Sequence, residues 1–149
     1  AIVAAARRAA GDKARLFVDA GASDAYWPHG LKWALRTAEM LKDHDVGWFE
    51  EALKPDAIDD FVELRRQSPV PIAGGEVLTR RQSFQPWLEA GAFDVVQPDV
   101  HWCGGLTELL KIKAMASARR RLCIPHGSSV YSYHFGICSD ATPYSLPRK

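Results

Sequence analysis

Cysteine is scarce in this chain. Cys103, Cys123 and Cys138 are the only three, and they form neither a CxxC pair nor an even set. That excludes a disulfide framework and a zinc knuckle, and it points to a reducing compartment, the cytoplasm. Long apolar runs are missing too. Nothing approaches the roughly 20 residues of a membrane span, so no membrane partner is expected. Charge of one sign is lacking: the net charge is +1, which implies no strong pull toward nucleic acid. The one basic cluster, "ARRRL" (118–122), reads as a solvated helix end. No methionine opens the chain. Its start, "AIVAAARRAAGDK", is helix-like and lacks the pattern of a signal peptide. The expectation is a piece of something longer.

What is present is ordinary for a globular domain. The chain has 149 residues, 47% hydrophobic and 25% charged, enough for one modest core. Short apolar runs alternate with amphipathic segments. Strands are expected at 15–20, 46–51, 70–76, 93–99 and 121–127. Helices are expected at 2–10, 29–44, 56–67, 80–91 and 105–120. The helix at 56–67 has an acidic first turn, as the helix dipole favours, and Gly91 closes the helix at 80–91. The stretch after 127 reads as aromatic and turn-like, then polar. This alternation means βαβ units and a parallel sheet. Periodicity alone leaves two architectures open, an open doubly wound sheet and a portion of a (β/α)8 barrel.

The strand ends carry the chemistry. In order they present Asp19, Glu50 (with Glu51), Glu76, Asp99 and His126, each about one βα unit from the next. A parallel sheet puts all these ends on one rim, where such folds place their active sites. A single carboxylate there often caps a helix or bonds loop amides, and Asp99 after Pro98 is a natural turn residue. Several in succession repel one another unless a cation joins them. Asp19, Glu50 and Glu76 are contiguous in strand order, all hard oxygen donors. They are the expected ligands of Mg²⁺ rather than zinc. Asp99 and His126 follow on the next two strands, with His126 as general base and Asp99 fixing its ring. A cation facing such a dyad suits proton abstraction beside a substrate carboxylate.

Five motifs then become recognisable: "FVDA", "GWFEEAL", "PIAGGE", "VVQPDVHWCGGLTELLKIKAMA" and "IPHGSSVYSYHF". Together they resemble the barrel domain of the enolase superfamily, mandelate racemase subgroup, over about residues 15 to 144. "QPDV-WCGG" and "PHGSSVYS-H" are similar to those of its rhamnonate dehydratases. The resemblance implies an α/β fold, a partial (β/α)8 TIM-like barrel holding roughly strands 3 to 7. The whole of 1–149 would be a fragment of the C-terminal barrel domain, without the N-terminal capping domain. It implies Mg²⁺ on Asp19, Glu50 and Glu76, catalysis by His126 and Asp99, a small sugar-acid substrate such as L-rhamnonate, and a homo-oligomer at full length. The implied reaction is removal of the 2-proton and loss of the 3-hydroxyl, giving a 2-keto-3-deoxy acid. Two departures stand out: "EEAL" replaces "EEP", and Leu146 stands where the family carries a glutamate. Racemisation on the same scaffold, an inactive metal-binding remnant and a flavodoxin-like domain remain the other readings. His101 and Trp102 either touch substrate or pack the loop. For His134 in "YSYHF", packing is the simpler role, and Trp27, Trp33, Trp48 and Trp87 are expected in the core.

Overall fold

The computed structural model describes residues 2–21, 30–127 and 130–139. Helices and parallel strands alternate along them: α1 (Ile2–Ala10), β1 (Leu16–Asp19), α2 (Leu31–Lys42), β2 (Val46–Glu50), α3 (Ile58–Gln67), β3 (Ile72–Gly74), α4 (Arg80–Ala90), β4 (Val95–Val96), α5 (Leu106–Ala118), β5 (Leu122–Cys123) and α6 (Val130–Ile137). The strands are hydrogen-bonded in chain order, β1-β2-β3-β4-β5. The chain divides into two compact units, one over 1–73 and one over 74–149.

In the first unit β1 runs parallel to β2, with Val18 opposite Phe49 and Asp19 opposite Glu50. Phe49 and Glu50 in turn lie opposite Ile72 and Ala73 of β3. The helices cover the strands by their apolar stripes. Ala34, Ala38 and Leu41 are the buried residues of α2, and Phe61 and Leu64 those of α3, at the spacing that keeps side chains on one helical face. Gly11 (φ +74°) takes the left-handed conformation directly after α1, its amide bonded to the Arg7 carbonyl. Arg7 itself donates to the carbonyls of Gly11, Ala14, His44 and Asp45, tying α1 to the turn before β2.

In the second unit β4 pairs with β5, Val95 opposite Leu122 and Val96 opposite Cys123. The assigned strands are short, yet the ladder runs on. The carbonyls of Asp94, Val96 and Pro98 accept from the amides of Leu122, Ile124 and His126, and Asp99 bridges His126 in register. Phe84, Trp87 and Leu88 of α4 and Leu109, Ile112 and Ala116 of α5 are buried. Gly91, in the left-handed conformation (φ +72°), caps α4.

Three expectations change. Glu76 lies in a turn past β3 rather than in the strand, because Gly75 (φ +110°) breaks the extended chain. The segment read as turn-like after 127 contains a helix, α6. Its buried residues are Ser132, Phe135 and Gly136, while Val130, Tyr131, Tyr133 and Ile137 are exposed. The hydrophobic pattern is thus inverted, and a helix-periodic reading misses it. Of the tryptophans, Trp48 and Trp87 are buried, and Trp33 is half-buried against Phe49. Trp27, Leu146 and the first residue expected in α2, His29, lie outside the described residues.

Candidate active site

In the first unit the strand ends deliver two acids. Asp19 and Glu50 close β1 and β2 as register partners. Glu50 is buried, and one of its oxygens accepts the Trp48 indole N–H at 2.9 Å. Trp48 and Glu50 are two residues apart, hence on one face of the strand. Phe17 stacks on Trp48 with ring centroids 3.8 Å apart. Asp19 Oδ1 accepts the Gly21 amide at 2.7 Å. Glu51 is also buried and carries a positive φ of 46°.

In the second unit three groups meet. His126 Nδ1 lies 3.1 Å from Asp99 Oδ2, and its Nε2 lies 3.2 Å from Glu76 Oε2. A carboxylate only accepts, so the Asp99 bond places the ring proton on Nδ1. By the same rule a bond to Glu76 needs a proton on Nε2, so the ring is set between two acceptors, Asp99 at Nδ1 and Glu76 at Nε2.

Asp99 does two things at once. Its Oδ1 accepts the amides of His101 at 2.7 Å and Trp102 at 3.0 Å, while Oδ2 serves His126. Burial by itself would raise the carboxyl's pKa. The Trp102 amide, the His126 ring and the His101 amide outweigh it, and the group sits below the usual aspartate range. Asp99 thus bonds the loop amides through Oδ1 and meets the His126 ring through Oδ2.

One participant was missed. Gly127 (φ +89°) follows His126, and a Cβ there would lie 2.4 Å from Asp99 Oδ2. Only glycine leaves room for the carboxylate. The "HG" pair was the available signal, but nothing in its spacing announces which side chain the glycine faces.

The neighbouring loop is built for the same purpose. The Cys103 amide bonds the Asp99 carbonyl and the Gly105 amide bonds that of Val100, both at 2.8 Å. Gly104 and Gly105 both have positive φ. His101 stands edge-on to Tyr131, 5.3 Å between centroids, and with Val100, Gly105, Leu106, Tyr131 and His134 lines a cavity of about 390 Å³. Glu76, Asp99 and His126 are not among its lining residues. Trp102 is exposed and borders a separate groove with Thr79 and Arg80. Cys103 is buried and its thiol is pushed up to about 11 by desolvation, which makes it inert as a nucleophile at neutral pH.

Among the described residues no group of three or more His, Cys, Asp and Glu side chains is arranged to hold a metal ion. The donor chemistry still fits a hard cation. Asp19 and Glu50 offer carboxylate oxygens from adjacent strand ends, the ligand type that Mg²⁺ takes.

The family model described as "Enolase C-terminal domain-like" matches residues 1–145. The chain belongs to this family. Its parallel strands and helices are a portion of the (β/α)8 barrel of the enolase superfamily. Within this family it is 44% identical, over 124 residues, to L-rhamnonate dehydratase of Saccharopolyspora erythraea, covering 82% of this chain and 32% of that protein. The rhamnonate dehydratase of Gibberella zeae, solved as a complex with Mg, matches with a TM-score of 0.84 and 36% identity over 95% of this chain and 34% of that one. L-talarate/galactarate dehydratase of Salmonella typhimurium LT2 matches with a TM-score of 0.84 and 30% identity, covering 96% and 34%. The enolase-family chain described here thus spans about a third of the length of these relatives. The relatives named are hydro-lyases.

Proposed function

We propose that the full-length protein carrying this chain is a Mg²⁺-dependent sugar-acid dehydratase that converts L-rhamnonate to 2-keto-3-deoxy-L-rhamnonate. The observation that carries the proposal is the His126–Asp99 pair, with the ring held at Nδ1 by the Asp99 carboxylate and its Nε2 facing Glu76. The kinship with rhamnonate dehydratases supports the substrate.

In this reading Asp19, Glu50 and Glu76 would hold the cation. Bound there, Mg²⁺ supplies Lewis-acid stabilisation of the charge that develops on a substrate carboxylate. The remaining work belongs to the protein. His126 Nε2 takes the proton from C2, and Asp99 stabilises the resulting imidazolium through Nδ1. The electron pair of the broken C–H bond forms C2=C3 as the C3–O bond breaks. The proton on Nε2 passes to the departing hydroxyl, which leaves as water. The enol product becomes the 2-keto-3-deoxy acid by tautomerisation. Glu76 faces Nε2 at 3.2 Å; engaged as a metal ligand, it would leave that nitrogen to the substrate.

The test is direct. The full-length protein, incubated with L-rhamnonate and Mg²⁺, is expected to form a 2-keto-3-deoxy acid, and chelation is expected to stop it. His126→Asn is expected to lower kcat by about 10²–10⁴-fold, the usual contribution of a general acid–base. Deuterium entering C2 from solvent without loss of water would overturn dehydration in favour of racemase-type chemistry.

A further inference from the structure

The strand that ends in Asp99 carries a second polar side chain, which the dyad does not use. Gln97 is 4% exposed. Among the described residues its Oε1 is shut off from solvent and meets no hydrogen-bond donor. Buried side-chain oxygens are rarely left so, because an unmet acceptor forfeits its bond to water and regains nothing.

The position of Gln97 is informative. The ladder bonds along 94–98 alternate sides. Gln97 N–H donates to the Gly74 carbonyl, and the carbonyls of Val96 and Pro98 accept from Ile124 and His126. Side chains of such an extended segment alternate between faces. Gln97 therefore shares its face with Asp99, and Val96 and Pro98 take the other. Its backbone partner, Gly74, stands two residues before Glu76. The unmet oxygen thus belongs to the strand face that carries the dyad, one step down from Asp99.

A neutral amide oxygen accepts from O–H or N–H and offers nothing to a carboxylate. On the reading of this site as one for polyhydroxy acids, we propose that Gln97 is a substrate-binding residue whose Oε1 accepts a hydrogen bond from a hydroxyl of the sugar acid. No donor of the described residues takes this acceptor, so it is available to a bound hydroxyl. An acid lacking that hydroxyl leaves the acceptor buried and unmet, so Gln97 also discriminates against deoxy analogues.

The experiment is calorimetric binding to full-length protein with Mg²⁺, in a His126→Asn background so that ligand is not turned over. The probes are L-rhamnonate and analogues each lacking one hydroxyl. Gln97→Met, which keeps length and removes the acceptor, is expected to weaken L-rhamnonate binding about ten-fold. One deoxy analogue is expected to bind the two proteins equally. Melting temperature without ligand is expected to stay the same or rise. Equal binding of L-rhamnonate by Gln97 and Gln97→Met proteins overturns this inference alone. Failure of the background protein to bind any sugar acid overturns the functional reading, and this inference with it. A crystal structure of the full-length protein with L-rhamnonate checks the contact without any Gln97 variant. A substrate hydroxyl within about 3.2 Å of Oε1 supports it, and a water held there in both free and bound protein overturns it.

Discussion

At the scale of single residues, the site depends on groups that do not look functional by type. Gly127 is the clearest. With φ at +89° and Asp99 Oδ2 occupying the space of its missing Cβ, Gly127→Ala combines backbone strain with displacement of the carboxylate. The expected outcome is a lower melting temperature together with loss of the dehydratase activity proposed for the full-length protein. Retention of full activity would show that Asp99 tolerates the shift. Asp99 also has a thermodynamic signature. Its folded pKa lies below the ordinary aspartate value of 3.8, so the folded state binds its proton less readily than the unfolded chain. The stability this contributes is fully present above the unfolded pKa. It is lost as pH falls below about 4 and on through the folded pKa. Denaturation followed by circular dichroism between pH 6 and 2 is expected to show this loss, and Asp99→Asn is expected to flatten it.

At the scale of elements, the decisive contacts cross between helices. The N-cap residue of α4, Thr79, makes no side-chain cap. Glu108, in the first turn of α5, does the capping from outside. It accepts the Arg81 amide at 2.9 Å and receives the Arg81 guanidinium at 2.8 and 2.9 Å. The Arg81 amide holds the Glu108 carboxyl below its usual range, and the guanidinium adds to this. Glu108→Ala is expected to lower the melting temperature by removing an anion from a helix N-terminus, while Lys111→Ala, whose contact with Glu108 is longer at 3.5 Å, is expected to change little. Elements also show how far a pattern can be read. The helices with buried apolar stripes, α2 to α5, emerge from periodicity with ends shifted by a residue or two. The segment Val130–Ile137 does not, since it buries a serine and a glycine beside Phe135 and exposes Val130, Ile137 and both tyrosines. The strands read too long for a similar reason: glycine and proline near their ends, at Gly75 and Pro98, leave the composition strand-like while the backbone turns.

At the scale of the whole molecule, the chain represents about a third of its relatives' length. Its second unit exposes Trp102, Leu106, Leu110, Leu122, Val130, Tyr131, Tyr133 and Ile137, large apolar side chains whose exposure to water favours association. The 149-residue chain by itself is expected to self-associate. Light scattering across a concentration series would show this, and a monomer at every concentration would contradict it. Tyr133→Lys together with Ile137→Lys is expected to reduce the association by placing like charges on α6.

The alternation of strands and helices, and the succession of acids and an imidazole at or just past the strand ends, were determined by sequence alone. Both follow from short-range rules: side-chain period, the turn chemistry of glycine, and the cost of a charge at the end of an apolar strand. Tertiary structure decided what those rules cannot reach. It joined Asp99 to His126 through the register of β4 on β5, turned Nε2 toward Glu76, required glycine at 127, left Gln97 Oε1 unmet and wound 130–137 into a helix. Each of these depends on which atoms from distant parts of the chain occupy the same few ångströms, and that is settled only when the strands pair.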